Sequence, residues 1–220
     1  MPIVMAVVMA FLTNGLVYAG RVSDRAALDS LLAGYGSVTE TFETALVPPS
    51  SFLMVTPPVL NHSTSVPGYG TGLVLPGVSF LGPSGNALQL NSGGYYGQPS
   101  QDLLSGYMRI DVDFNTPTRA VGLDLLVFEG YSDSATVKVY GPDDTTLLDS
   151  YSGISISSPA DFVFFGYEDD GGIGMIEISG ANYTWTPILD NVTFVQVPEP
   201  SALALVACGA AAWLISRRRR

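Results

Sequence analysis

The sequence predicts a mainly β protein, an antiparallel β-sandwich of jelly-roll, galactose-binding-like or lectin-like type. Three observations carry that expectation. Side chains alternate apolar and polar along residues 107–114, with Met108, Ile110, Val112 and Phe114 on one face. That period of two belongs to a half-buried strand. Turn-forming clusters recur between such stretches. Finally, the chain holds 24 Gly and 15 Pro, and its single lysine is Lys138, a poor supply for long surface helices.

The elements follow in chain order. Residues 3–12 are apolar, and Val17-Tyr18-Ala19 follows with small residues suited to signal-peptide cleavage. Residues 1–19 are therefore expected to be a secretory signal peptide cut after Ala19, although the usual basic start is missing. Residues 23–32 read as one short helix, with Ser23 as cap, Asp24 at its positive end and Gly34 after it. Strands are expected at 38–43, 52–56, 78–81, 87–90, 107–114, 121–128, 135–140, 145–149, 162–167, 174–179 and 192–195. Turns at 82–85, 93–94, 141–144 and 170–172 separate them. No helical crossovers intervene, which excludes a doubly wound fold. Residues 20–196 are thus expected to form one ectodomain, long enough for a sizeable core.

Between Arg21 and Pro200 the chain carries five basic residues against twenty acidic ones, a formal charge of −15. Such a surface repels nucleic acid and anionic lipid, so a nucleic-acid partner is not expected. The lone cysteine, Cys208, lies in the C-terminal apolar run, so the domain has no disulfide. The lone histidine, His62, sits in a polar stretch without the neighbours of a zinc site.

Residues 201–216 are apolar apart from two flanking serines, and Arg217, Arg218, Arg219 and Arg220 end the chain. Sixteen residues of helix span roughly 24 Å, close to the hydrocarbon thickness. A transmembrane helix over 201–216 is expected, its arginines on the cytoplasmic side. Val197-Pro198-Glu199-Pro200 before the helix and the arginine cluster after it resemble the PEP-CTERM sorting signal, spanning 197–220 here. The resemblance implies an exosortase-like membrane protease as partner and transient anchoring. It further implies export across the inner membrane of a Gram-negative bacterium, with delivery to the surface or an exopolysaccharide biofilm matrix. The two prolines keep the segment extended, the form proteases bind.

The body resembles β-sandwich domains found upstream of such tails. The similar patches are residues 24–28, 41–43, 77–80, 117–124, 164–166 and 189–194. This second resemblance brings no catalytic residues.

Enzyme motifs are absent. There is no Gly-x-Ser-x-Gly elbow, and Gly68-Tyr69-Gly70-Thr71-Gly72 lacks the lysine and helix of a phosphate loop. A non-catalytic surface protein is expected. The alternative is a carbohydrate-active enzyme using an unrecognised carboxylate pair. No cofactor is expected beyond a candidate structural Ca²⁺ at Glu168, Asp169 and Asp170, where carboxylates adjoin Gly171-Gly172; Asp143-Asp144 is a second acidic turn. Candidate glycan contacts are Tyr95, Tyr96, Tyr183 and Trp185, whose rings suit apolar sugar faces.

Overall fold

A computed structural model describes residues 18–83, 86–105, 108–126, 133–157, 162–180 and 187–195. Twelve strands fill most of them: β1 (Ala19–Val22), β2 (Ser37–Glu40), β3 (Phe52–Val55), β4 (Val59–Asn61), β5 (Val78–Leu81) and β6 (Leu88–Asn91). They continue with β7 (Asp102–Ser105), β8 (Arg109–Leu126), β9 (Asp133–Tyr140), β10 (Leu147–Ile156), β11 (Val163–Gly180) and β12 (Ile188–Val195). One helix, α1 (Arg25–Leu32), lies between β1 and β2. All pairings between the named strands are antiparallel.

The two 18-residue strands, β8 and β11, run through both layers of the fold. Their halves Arg109–Phe114 and Met175–Gly180 belong to a front sheet ordered β10-β9-β11-β8-β5-β4. Their other halves join a back sheet ordered β1-β11-β8-β12-β7-β6-β3, with β2 also on β12. Register shifts in β11 between Glu168 and Ile173, and again before Met175, mark the bend. Pro117 of β8 cannot donate to a ladder there. Gly172 opposite takes a φ of +96°, and a Cβ on it would approach Pro117 to 3.1 Å. The sequence pattern predicts each long strand as two separate ones, with a turn at 170–172. Pro and Gly instead bend a continuous strand without ending it.

The sheets meet face to face. Phe114 of the front sheet packs on Phe194 of the back sheet with ring centroids 5.4 Å apart. Tyr151 of β10 meets Phe165 of β11 edge-on at 5.5 Å. Ile110, Val112, Leu123, Leu125, Val137, Val139, Ile176 and Ile178 are fully buried between them. Burying each such side chain contributes about 1.5–3 kcal/mol, which is what holds the layers together.

The helix covers part of the back sheet's outer face. Its cap is Asp24, whose Oδ1 accepts from the Ala27 amide at 2.8 Å, while the Ser23 hydroxyl donates to Oδ2. The cap is thus one residue later than expected, because the Asp24 carboxylate reaches the first-turn amides and Ser23 braces it. Gly34, at φ +98°, follows the helix as expected. Leu28 and Leu32 pack with Val22, Ala120 and Val195. This close approach needs Gly122 and Gly166: a Cβ on Gly122 would strike Leu28, and one on Gly166 would lie 2.8 Å from the Phe164 ring.

Three strands escaped the sequence reading, β1, β4 and β7. The first expectation after α1, a strand over 38–43, shortens to β2 and a 3-10 turn over Glu43–Ala45 between left-handed Phe42 and Leu46. The stretch expected to end at Asp149 runs on to Ile156, because a bulge between Tyr151 and Ile154 absorbs Gly153 at φ +71°. No helix among the described residues is long and apolar enough to cross a membrane. Residues 1–17 and the expected membrane helix at 201–216 lie outside the described residues.

Candidate functional site

The front sheet turns its other face outward, with Arg109 exposed and Glu177 buried among the side chains on it. Alternation fixes which side chains stand there, since Ile110, Val112, Val137, Val139, Ile176 and Ile178 point inward. Their neighbours Arg109, Asp111, Asp113, Lys138, Tyr140, Met175 and Glu177 therefore point outward. Register aligns them in two rows. Lys138, Glu177 and Asp111 stand side by side on adjacent strands, and Tyr140, Met175 and Asp113 form the next row.

Charge pairs order this face. The Arg109 guanidinium grips Asp111 with two hydrogen bonds of 2.7 and 2.8 Å and reaches Glu177 at 3.1 Å. Lys138 Nζ donates to the other Glu177 oxygen at 2.8 Å. These contacts hold Arg109 and Lys138 above their ordinary values, chiefly through the hydrogen bonds to Asp111 and Glu177 respectively. Asp113 lacks such a partner in the array. Burial, then the nearby Asp144 and Asp111 carboxylates, raise its pKa. The result is a half-buried aromatic ring beside fixed donors and acceptors, which is what a sugar ring and its hydroxyls require.

A different polar array lies on the back sheet's outer face. Register places Asn91 beside Asp102, and Asp190 beside Asp124. The pairing of Leu189 with Leu103 continues to set Asp190 next to Asp102. One row thus carries three carboxylates on adjacent strands, all with under a tenth of their surface exposed. Asp124 is matched by Arg25 Nη2 at 2.8 Å and by the Asn191 amide at 2.9 Å. Asp190 accepts from the Ser100 hydroxyl and from the Asn191 backbone N–H. Asp102 accepts from Asn91 Nδ2 at 2.6 Å through one oxygen. Its other oxygen has no hydrogen-bond partner among the described residues. Burial first, and then the neighbouring Asp190, raise Asp102 well above the usual carboxylate range. Burial likewise pushes Asp190 up to about 6, against the pull of Ser100 and Asn191.

Glu168, Asp169 and Asp170 lie within β11 at its bend, not in a loop. Asp169 accepts from the Gly171 amide, and Asp170 pairs with Arg119 at 2.5 Å and accepts from the Tyr18 amide. Asp143 accepts from Thr145 and Thr146 within its own turn. Among the described residues, no group of three or more His, Cys, Asp or Glu side chains is disposed to hold a metal ion. Tyr95 packs on Phe52, ring centroids 5.4 Å apart, and the Tyr96 side chain, Tyr183 and Trp185 lie outside the described set. His62 is exposed, its Nδ1 3.1 Å from the Val74 carbonyl. Lys138, Tyr140, Met175 and Glu177 were not among the candidates expected from the sequence. The alternation of β9 and β11 held that signal, since it places all four on the face of Asp111.

Residues 196–220 match the PEP-CTERM protein-sorting motif. No curated protein matches the chain. Among solved structures, a family 29 carbohydrate-binding module from Piromyces equi is similar at 15% identity, over 55% of this chain and 81% of that one, with a TM-score of 0.37. The K2 cleaved adhesin domain of Lys-gingipain is similar at 14% identity, over 73% of this chain and 100% of that one, with a TM-score of 0.33. The chain also aligns over 75% of its length with 29% of the family 22 carbohydrate-binding and glycoside hydrolase modules of a Clostridium thermocellum xylanase, at 9% identity and a TM-score of 0.32. The C-terminal segment is thus a PEP-CTERM sorting motif, the mark of a bacterial protein exported and sorted to the surface by an exosortase.

Proposed function

We propose that this chain is a non-catalytic surface or matrix protein that binds exopolysaccharide through the outer face of its front sheet. The signal peptide, residues 1–19, leads export. The tail helix at 201–216 then holds the protein transiently in the inner membrane of a Gram-negative cell until an exosortase-like protease cuts near Pro200. The jelly-roll, galactose-binding-like reading fits the two antiparallel layers.

The observation that carries the binding reading is the row of Tyr140, Met175 and Asp113 beside the Arg109, Lys138, Glu177 and Asp111 pairs. Paired charges hold each other's side chains in place, so little rotamer entropy is left to lose when hydroxyls dock. The ring of Tyr140 supplies an apolar surface for the sugar's C–H face.

The test is calorimetric titration of the mature protein with exopolysaccharide from its host, beside the Tyr140→Ala and Arg109→Ala variants. Saturable binding weakened at least about tenfold by either change, a loss of about 1.4 kcal/mol, supports the reading. Unchanged affinity in both removes the front face as the site. Turnover of the polysaccharide that disappears in Asp113→Asn assigns a hydrolase instead, with the raised carboxyl as its acid.

A further inference from the structure

Val195, the last described residue before the sorting motif, forms part of a recess between α1 and the back sheet. The recess holds about 80 Å³ and is also walled by Leu31, Leu32, Tyr35, Arg119 and Glu168. Leu31 and Glu168 are shared with a wider groove of about 430 Å³ that runs past Arg21, Ser23, Ala27 and Ser30. Leu31 is 38% exposed and Tyr35 46%, so apolar surface stands open here. Of the five basic residues between Arg21 and Pro200, two line this one groove.

We propose that the groove seats the chain's own Gln196-Val197-Pro198-Glu199-Pro200 segment and so controls when the sorting protease reaches it. The inference rests on the sorting role of that segment and adds a place for it on the folded domain. Three observations select this occupant. Val195, which directly precedes the segment, lines the recess. Five extended residues then reach roughly 17 Å at most, so the segment stays near the groove until the apolar run begins.

The chemistry also matches. Pro198 and Pro200 favour an extended, pre-ordered backbone whose rings pack on exposed aromatic and apolar side chains. Tyr35 and Leu31 are such side chains. Arg21 and Arg119 are the two cations of the groove that Glu199 could meet, with Glu168 lining it as well and Asp170 paired to Arg119. Arg119 is held in place by Asp170 and by the Tyr35 hydroxyl, which accepts from its Nη1 at 2.8 Å. A docked segment is withheld from a protease, which needs the extended strand free on both edges.

The test uses the full chain in detergent micelles with Cys208→Ala. A Ser30→Cys and Val197→Cys pair is oxidised mildly, in the otherwise native groove and beside the same pair carrying Leu31→Ser and Tyr35→Ala. Docking predicts an intramolecular disulfide at least fivefold faster with the native groove. Equal rates in the two overturn the proposal. A second measurement digests the otherwise native chain with a prolyl endopeptidase. Leu31→Ser with Tyr35→Ala should be cut after Pro198 or Pro200 at least fivefold faster. If protection persists in that variant, the micelle and not the groove shelters the segment, and the proposal falls. Processing in the host is followed separately by the mass of the C-terminus. Its failure would count against the sorting role, whereas retained processing with no docking would sink the docking alone.

Discussion

Asp102 and Asp190 stand side by side on β7 and β12, both buried, and neither has an arginine or lysine among its described contacts. Their raised pKa values fix the sign of a pH effect. In the unfolded chain these carboxyls release their protons near 3.8, whereas the fold holds the Asp190 proton up to about 6. Stability is therefore greatest below about pH 4 as far as this pair is concerned, and falls as pH climbs through 6, with Asp102 extending the loss upward. For Asp190 alone the swing is at most about 3 kcal/mol. Asp143 acts oppositely. Hydrogen bonds from Thr146 first hold it below the usual range, so its contribution is lost only in stronger acid. Urea unfolding of the mature domain at pH 4.5 and 7.5 checks this; higher stability at 7.5 would contradict it. Asp102→Asn keeps the acceptor for Asn91 and removes the titrating group. It should raise stability more at pH 7.5 than at pH 4.5. An equal gain at both values would mean that packing, not ionisation, is responsible. The row as such was not legible beforehand. Asp102 lies in a strand too short to announce itself, and only the pairing of β7 with β12 brings it to Asp190. Arg25, Asp124 and Asn191 did belong to patches singled out in the sequence, and the fold draws them into one hydrogen-bonded cluster.

At the scale of elements, what the sequence made visible was periodicity. Val78–Leu81 was read with its true bounds, and the alternation along β8 placed Ile110, Val112 and Phe114 in the core. What it hid was continuity. Pro117 and Gly171-Gly172 look like chain reversals, because their local preferences are those of turns, yet the partner strands on both sides hold the bent strands in one ladder. The closeness of α1 to the back sheet was hidden as well, since it depends on Gly122 and Gly166 lying under Leu28 and Phe164. That packing yields a prediction. Gly122→Val forces Leu28 or Phe164 to move and lifts the helix, costing about 1–3 kcal/mol. Leu28→Ala leaves the helix in place over a cavity and costs about 2–5 kcal/mol. Urea midpoints measure both, with slopes that stay unchanged if the domain still unfolds as one unit. A Gly122→Val protein as stable as the parent would show that the helix is not pressed against the sheet.

The first and last described strands of the acidic domain, β1 and β12, both reach the helix α1, where Val22 and Val195 pack on Leu28 and Leu32. β1 lies on β11, Gly20 opposite Glu168, while Val195 ends β12 beside the same helix. Cleavage after Ala19 would remove Tyr18, whose backbone pairs with Asp170. It would also free an ammonium group at Gly20. That positive charge would arise opposite Glu168 and one residue from Asp169, in a domain where cations are scarce. Opposite charges on adjacent strands stabilise each other, by about 0.2–1 kcal/mol for an exposed pair. A chain beginning at Gly20 should therefore keep its first strand paired, even though it is three residues long. Mass spectrometry of the mature protein from its host reads the ends, and amide exchange reads the strand. The expected result is an N-terminus at Gly20, a C-terminus near Pro200, and slow exchange at Val22. Fast exchange there, in a chain that does begin at Gly20, would mean that the strand needs Tyr18 and Ala19. A mature chain found instead to begin upstream of Tyr18 would place the cut before that residue and keep its backbone pairing with Asp170.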